Sequence, residues 1–297
     1  LDSVKEERRI MDKMNILKEW SYERTPIDKG YVRKNLHVNV GTPAIEIRDI
    51  SQDTIDKFTG GRGFDLHLLW KAVTEDTKWN DPENEIVISG GPLCGITQYP
   101  GTGKCYAAFI SPLSDQTYDS NSGGYFGPLL KFSGFDAIEI QGKSEKDVIV
   151  FIDGDQGKIQ VLESPFTDIN AYTVTEALHE YFAKDEADKI NISVVAAGKA
   201  AESTRWGCLN MSFYDPRRKV ARLKQAGRGG GGTILRDKKI IALVVKYSNV
   251  TGTENHPVDL RTLQKVGVKI HKEIHDLDDK QCSMRSVGTA HLNEIMD

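Results

Sequence analysis

Two glycine clusters constrain this chain more than any other feature: Asn121-Ser122-Gly123-Gly124-Tyr125-Phe126-Gly127 and Ala226-Gly227-Arg228-Gly229-Gly230-Gly231-Gly232. Successive glycines lack Cβ atoms and reach φ > 0, so their amide N–H groups can converge on an anion at a range closed to other residues. Two such loops predict a ligand with several anionic groups. A flexible linker is the alternative for the second cluster. Linkers usually mix in serine and proline, however, and this one runs directly into Lys238-Lys239 and the apolar stretch Ile240–Val245, which favours a ligand loop.

The chain has 297 residues, ample for a buried core in one large domain or two smaller ones. A formal net charge of −4 and a pI near 6.0 carry no polyelectrolyte signature. Nucleic-acid binding therefore has no global electrostatic support, and the basic cluster Arg217-Arg218-Lys219 reads as solvated surface. No apolar run approaches the ~20 residues that span a bilayer, and no charged-then-apolar signal segment opens the chain, so a cytoplasmic protein is expected. Cys94, Cys105, Cys208 and Cys282 are widely spaced with no Cys-x-x-Cys pair. That argues against a self-contained zinc or iron–sulfur site and for buried, reduced thiols.

Hydrophobic periodicity orders the elements. Residues 1 to about 22, with Ile10, Met14, Leu17 and Trp20 at helical spacing, read as an amphipathic helix, making residues 1–30 a helical extension. Tyr31–Val40 and Ile45–Ile47 read as a hairpin turned at Gly41-Thr42-Pro43, and Ser51 as the cap of a helix that stops at Gly60-Gly61. A second helix follows over Phe64–Val73. Strands are expected at Glu85–Ser89, Cys105–Ile110, Ala137–Ile140, Val148–Ile152, Ile159–Leu162 and Ile190–Ala196, with a helix at Thr173–Phe182. Ile234–Val245 reads as a loop entering a strand. After a linker at Thr251–Pro257 the pattern turns helical over Leu260–Ile274.

Other candidates for chemistry are fewer. Gly60-Gly61-Arg62-Gly63 lies between two helices, where free amides and a guanidinium would form an anion site; a plain helix-to-helix turn is the alternative. Gly101-Thr102-Gly103-Lys104-Cys105 looks like half of a P-loop, yet Gln98 stands where the motif needs its first glycine and Cys105 where it needs a magnesium-binding hydroxyl. Lys104 remains a cation on a glycine-rich loop. Asp119, Asp136, Glu139 and Glu202 are acidic candidates without partners that sequence can assign. His271 and His275 form an i, i+4 pair that lacks a third metal ligand, and no nucleophile elbow is present, so no catalytic residue is assigned.

The order of these loops resembles the N-terminal portion of the tungsten-containing aldehyde:ferredoxin oxidoreductase family. The resemblance rests on Gly60-Gly61-Arg62-Gly63, Asp81-Pro82-Glu83-Asn84 leading to Gly91-Pro92-Leu93-Cys94-Gly95, and Ser111-Pro112-Leu113. It continues through Ser120–Gly127, Lys131-Phe132-Ser133-Gly134-Phe135-Asp136, Gly142-Lys143 and Ala226–Gly230. It runs from about Tyr31 to the C-terminus and implies an α+β, sheet-rich cofactor-binding domain over residues 31–250, followed by the start of a helical region over residues 251–297. In such a domain a tungsten (or molybdenum) bis-pyranopterin sits on the glycine loops, and its two phosphates are the multiply anionic ligand expected above.

The resemblance implies cofactor contacts at Gly60, Gly61, Arg62, Gly63, Lys104, Asn121, Ser122, Gly123, Gly124, Ala226, Gly227, Arg228, Gly229 and Gly230. It also implies Mg²⁺ between the phosphates, bound partly by the backbone carbonyls of Asn121 and Ala226. Lys104 stands where the family often has arginine, keeping charge without the planar fork, and Cys94 replaces a usual threonine. Tyr214–Gln225 is longer than usual. Family members continue far beyond the position of Asp297, supplying a [4Fe–4S] cluster and helical walls for the substrate cavity. Those are expected on a missing part or a partner chain, with ferredoxin or another iron–sulfur protein as electron acceptor. The activity implied is oxidation of an aldehyde to a carboxylate; an active-site subunit of a class II benzoyl-CoA reductase and a scaffold subunit without cofactor are the alternatives.

Overall fold

The computed structural model describes residues 14–167, 169–251, 254–277 and 284–296. Six strands, β2 (Lys34–Asn39), β3 (Ala44–Asp49), β4 (Ile86–Ser89), β5 (Cys105–Ile110), β6 (Thr117–Ser122) and β7 (Ala137–Gln141), form one sheet in the order β3-β2-β7-β4-β5-β6. Seven others are β1 (Ile16–Ser21), β8 (Val148–Asp153), β9 (Lys158–Glu163), β10 (Ile192–Ala196), β11 (Leu209–Asp215), β12 (Val220–Ala226) and β13 (Ile240–Lys246). They form a second sheet in the order β1-β9-β8-β13-β10-β11-β12. Neighbours are antiparallel except β2–β7 and β8–β13. The apolar run Ile240–Lys246 is buried throughout because β13 lies inside its sheet with both faces covered.

Two short helices, α3 (Phe126–Phe132) and α5 (Gly231–Asp237), lie between the sheets and share one core with inward residues of both, such as Leu36, Ile138, Val150 and Leu243. Every residue of α3 is buried. Outside, α2 (Arg62–Ala72) covers the six-stranded sheet through Leu69 against Val87 and Ala108, and α4 (Ala171–Phe182) covers the other through Val174 and Leu178. A still shorter helix, α1 (Gln52–Phe58), precedes α2, and α6 (Leu260–Asp276) follows the body of the domain. Local chemistry sets the helix starts: Ser51 Oγ accepts from Thr54 N–H (3.1 Å), Asn170 Oδ1 from Tyr172 N–H (2.9 Å) and Asp259 Oδ1 from Thr262 N–H (2.9 Å). The α+β, sheet-rich architecture with a helical region after it is the one expected.

Several local expectations change. Ile16–Ser21 is not helical: it is the edge strand β1, paired antiparallel with β9 from Ile16↔Leu162 to Ser21↔Lys158. Pairing satisfies the backbone of β9 along its open side, and this outweighs the helical spacing of side chains that are exposed in any case. Residues 1–13, including Ile10, lie outside the described residues. Gly231–Asp237 forms α5 rather than a loop, Asp188–Asn191 is a 3-10 turn before β10, and the long Tyr214–Gln225 segment is the turn and return strand of the β11–β12 hairpin.

Two cations buried in the body are held by carboxylates. Lys131 of α3, 1% exposed, donates to the carbonyls of Gly30 and Gly91 (both 2.6 Å) and lies 3.6 Å from Asp136. Asp136 in turn accepts from the amides of Val32 (3.0 Å) and Arg33 (2.7 Å). Arg236 of α5 is bound by Glu202 (2.7 Å) and Asp147 (2.8 Å). Removing one member of such a cluster strands its partner in a dry interior. Lys131→Met is expected to lower unfolding free energy by about 3–5 kcal/mol in denaturant titration, whereas a loss below about 1 kcal/mol would show that the lysine is not structural.

Candidate functional site

The two sheets meet at their edges, where β6 of one lies against β12 of the other. Asn121 and Ser122 end β6, Ala226 ends β12, and both glycine loops leave from this junction to become α3 and α5. Side chains tie the surrounding loops to it. Lys104 Nζ donates to Asn121 Oδ1 (3.0 Å), Arg62 pairs with Asp119 on β6 (2.8 Å), and Arg228 N–H donates to Ser120 Oγ (3.2 Å). A Cβ on Gly103 would lie 3.2 Å from the Gly124 carbonyl, so the Lys104 loop rests on the first glycine cluster. The fold thus brings Arg62, Lys104, Asn121–Gly124 and Ala226–Gly230 together from distant stretches of chain. Arg62, Lys104 and Arg228 are exposed cations on its surface.

The glycines divide into two kinds. Gly124 (φ +104°) would place a Cβ 3.2 Å from the Ser212 carbonyl of β11; Gly229 (φ +78°) would place one 2.4 Å from the Tyr118 ring. Gly230 (φ +81°) would press one to 2.3 Å from the Arg205 carbonyl, and Ser111 Oγ holds the Gly229 carbonyl at 2.7 Å. These positions are glycine because the protein itself leaves no room. Gly123 and Gly227 differ: a Cβ there meets nothing within 4 Å, and neither needs a positive φ. They present bare backbone to open space beside the cations. Ser122 is buried, its hydroxyl 3.1 Å from the Gly123 carbonyl.

The turn Gly60–Gly63 leads from α1 into α2. Its amides are largely spent within the protein: Gly60 N–H donates to Phe58 O (2.6 Å), Gly61 N–H to Gly90 O (3.0 Å) and Gly63 N–H to Gly60 O (3.1 Å). Gly60 packs on the Gly90-Gly91 backbone and Gly63 on the Phe58 carbonyl, so the Arg62 side chain is the part of this turn that reaches the junction. Cys94 and Cys105 are buried free thiols, and desolvation pushes both upward, Cys94 to about 11, which keeps them protonated and unreactive. Cys208 is also free; Cys282 lies outside the described residues.

Of the acidic candidates only Asp119 lies at the junction, holding Arg62. Asp136 and Glu202 serve the buried cations Lys131 and Arg236, and Glu139 lies on β7 beside Asn35. His271 and His275 are exposed on α6. Among the described residues no three His, Cys, Asp or Glu side chains are placed to share a metal ion, and no helix is long and apolar enough to cross a membrane. Ser111 and Ser120 stand in the sequence motifs, but sequence alone assigns their hydroxyls no role; they fasten the second glycine loop across the fold.

Comparison with known proteins places this geometry in context. The family model described as "Aldehyde ferredoxin oxidoreductase, N-terminal domain" matches residues 35–247. Tungsten-containing aldehyde ferredoxin oxidoreductases of Thermococcus kodakarensis and Pyrococcus furiosus are 31% and 28% identical to the chain, each over 266 residues. Those matches cover 88% of this chain and 40% of either relative, so the chain spans less than half the length of these proteins. A solved active-site complex BamBC of benzoyl coenzyme A reductase shares the fold, with a TM-score of 0.63 at 24% identity over 75% of this chain and 32% of that one. The junction of β6 and β12, with its two glycine loops, lies wholly within the matched residues, and the chain belongs to the aldehyde ferredoxin oxidoreductase N-terminal domain family.

Proposed function

We propose that this chain holds a tungsten or molybdenum bis-pyranopterin at the β6–β12 junction, as the cofactor-binding part of an oxidoreductase that converts aldehydes to carboxylates. The observation that carries the reading is the pair of bare glycines, Gly123 and Gly227, facing open space among Arg62, Lys104 and Arg228. Backbone without Cβ atoms lets a large planar ligand approach closely, and the three cations suit its phosphates. When bound, the cofactor supplies a two-electron redox centre, its metal ligated by dithiolene sulfurs rather than by side chains.

The chain's own residues then act by placement. Lys104, oriented by Asn121, offers a point charge where a phosphate or the dithiolene end would lie, and Asp119 fixes the Arg62 guanidinium at the rim. The carbonyls of Asn121 and Ala226, at the ends of adjoining edge strands, are the proposed protein ligands of Mg²⁺ between the phosphates. Ferredoxin or another iron–sulfur protein is the proposed electron acceptor. We assign the [4Fe–4S] cluster, the acid–base groups and the substrate cavity walls to further sequence or a partner chain, given the 40% coverage of the relatives.

The protein purified with its natural partners is expected to carry about one tungsten or molybdenum per chain and to release a fluorescent pterin on oxidation. Elemental analysis with neither metal and no pterin would reject the reading in favour of a scaffold role. The glycines offer a sharper test. Gly229→Val is expected to destabilise the fold by about 1–3 kcal/mol or more, since it meets both a positive φ and the Tyr118 ring. Gly123→Val should stay within about 0.5 kcal/mol of wild type in denaturant titration, yet retain much less metal and pterin per folded chain. Undiminished occupancy in Gly123→Val would remove Gly123 from the cofactor surface.

A further inference from the structure

The outer face of the six-stranded sheet carries a second polar cavity, of about 350 Å³, under α2 and toward the β3 edge, whereas the glycine loops lie at the β6 edge. Its floor is built from Asn35 and His37 on β2, Glu85 just before β4 and Glu139 on β7, which are 1%, 6%, 1% and 3% exposed. Sheet register sets His37 beside Glu139 across the parallel β2–β7 pair. The Asn35 amide donates to Glu139 Oε2, and Arg48, which also pairs with Glu46, lies 3.6 Å from that oxygen. His37 Nε2 is 3.5 Å from Glu85 Oε1.

Three buried atoms of this floor are left without a partner, Asn35 Oδ1, Glu85 Oε2 and His37 Nδ1, as is Nε2 of His67 on the α2 wall. Asn35 Oδ1 and Glu85 Oε2 are acceptors, and His37 Nδ1 is a third in the tautomer whose proton sits on Nε2, the nitrogen that faces Glu85. A carboxylate oxygen, an amide oxygen and an imidazole nitrogen ask for N–H donors carrying positive charge. Burial and the neighbouring Glu85 carboxylate push the Glu139 carboxyl up to about 7 even though Arg48 lies beside it, and Arg48 and Lys71 also line the cavity, so the buried Glu85–Glu139 pair stays short of positive charge despite these cations. The metal alternative is disfavoured, because among the described residues no three side chains converge as metal ligands. Ile50, Leu68 and Ala72 line other parts of the cavity and offer an apolar wall to a short carbon chain.

We propose that this cavity is a second, independent binding site, for a small primary alkylammonium ion whose three N–H groups meet Asn35 Oδ1, Glu85 Oε2 and His37 Nδ1. Its volume falls in the range of about 300–1,000 Å³ typical of small-molecule sites. The site shares no residue with the glycine-loop junction, so its fate does not depend on the cofactor reading.

The test is calorimetric titration of the full chain with n-butylammonium chloride and with N,N,N-trimethylbutylammonium chloride at matched ionic strength. The second ion keeps charge and chain but has no N–H. Saturable binding of the primary amine, weakened at least about tenfold for the quaternary ion and again about tenfold by Glu85→Gln, is expected. Butylguanidinium serves as a third ligand, and its binding more tightly than the amine would overturn the match of three donors to three acceptors. Equal affinity for the primary and quaternary ions, or no binding of the amine up to about 10 mM, overturns the proposal outright. Circular dichroism checks that the variant is folded, and if Glu85→Gln does not fold, the comparison of ligands on the wild-type chain decides.

Discussion

The ammonium group of Lys131 ties the interior of this domain to three of its loops. It projects from a helix with no exposed face and reaches the carbonyls of Gly30 and Gly91, while Asp136 balances its charge. Those contacts lie in segments that otherwise have little in common: the turn before β2, the glycine turn after β4, and the entry to β7. The Gly90-Gly91 turn also supports Gly60 and receives the Gly61 amide. The position of Arg62, and through it the Arg62–Asp119 pair at the rim, therefore rests on a charge well inside the protein. Arg236 plays the matching part in α5, where Glu202 and Asp147 anchor the helix that follows the second glycine loop.

This arrangement explains how a surface made of glycine can be well defined. Glycine-rich backbone has large conformational freedom, and left to itself it would lose entropy on binding. Here each loop is short and attached at both ends, to an edge strand on one side and to an enclosed helix on the other. The Ser212 carbonyl behind Gly124 and the Tyr118 ring beside Gly229 remove the remaining space. The bare faces at Gly123 and Gly227 are consequently preorganised, which would lower the cost of binding the proposed ligand.

Much of this was legible in the sequence where local chemistry decides the outcome. Cys105–Ile110 reads as a strand and is one, because an apolar, β-prone run of that length fits a strand covered on both faces. The Ser51 cap and the Gly41-Thr42-Pro43 turn follow from side-chain hydrogen bonding and turn preference. The failures share a cause, in that tertiary context overrode the local pattern. Helices α3 and α5 are buried nearly all round, so they lack the two-sided stripe by which a surface helix is recognised. β1 was misread because a sheet edge recruited a segment whose side chains stay in solvent. At the site, the glycine loops announced themselves, but Asp119, Ser111 and Ser120 find their partners only across the fold.

The enclosure of α3 and α5 has a consequence for the order in which the molecule assembles. Both helices fill the space between the sheets, and pairings such as β1–β9 and β2–β7 join residues far apart in the chain, a topology that folds slowly. The junction of β6 and β12 joins one sheet to the other, so a ligand spanning both loops would recognise the closed sandwich and neither sheet alone. Binding of that kind draws the population toward the closed form by mass action, with a ligand at the seam acting as a latch on the fold that created its own receptor.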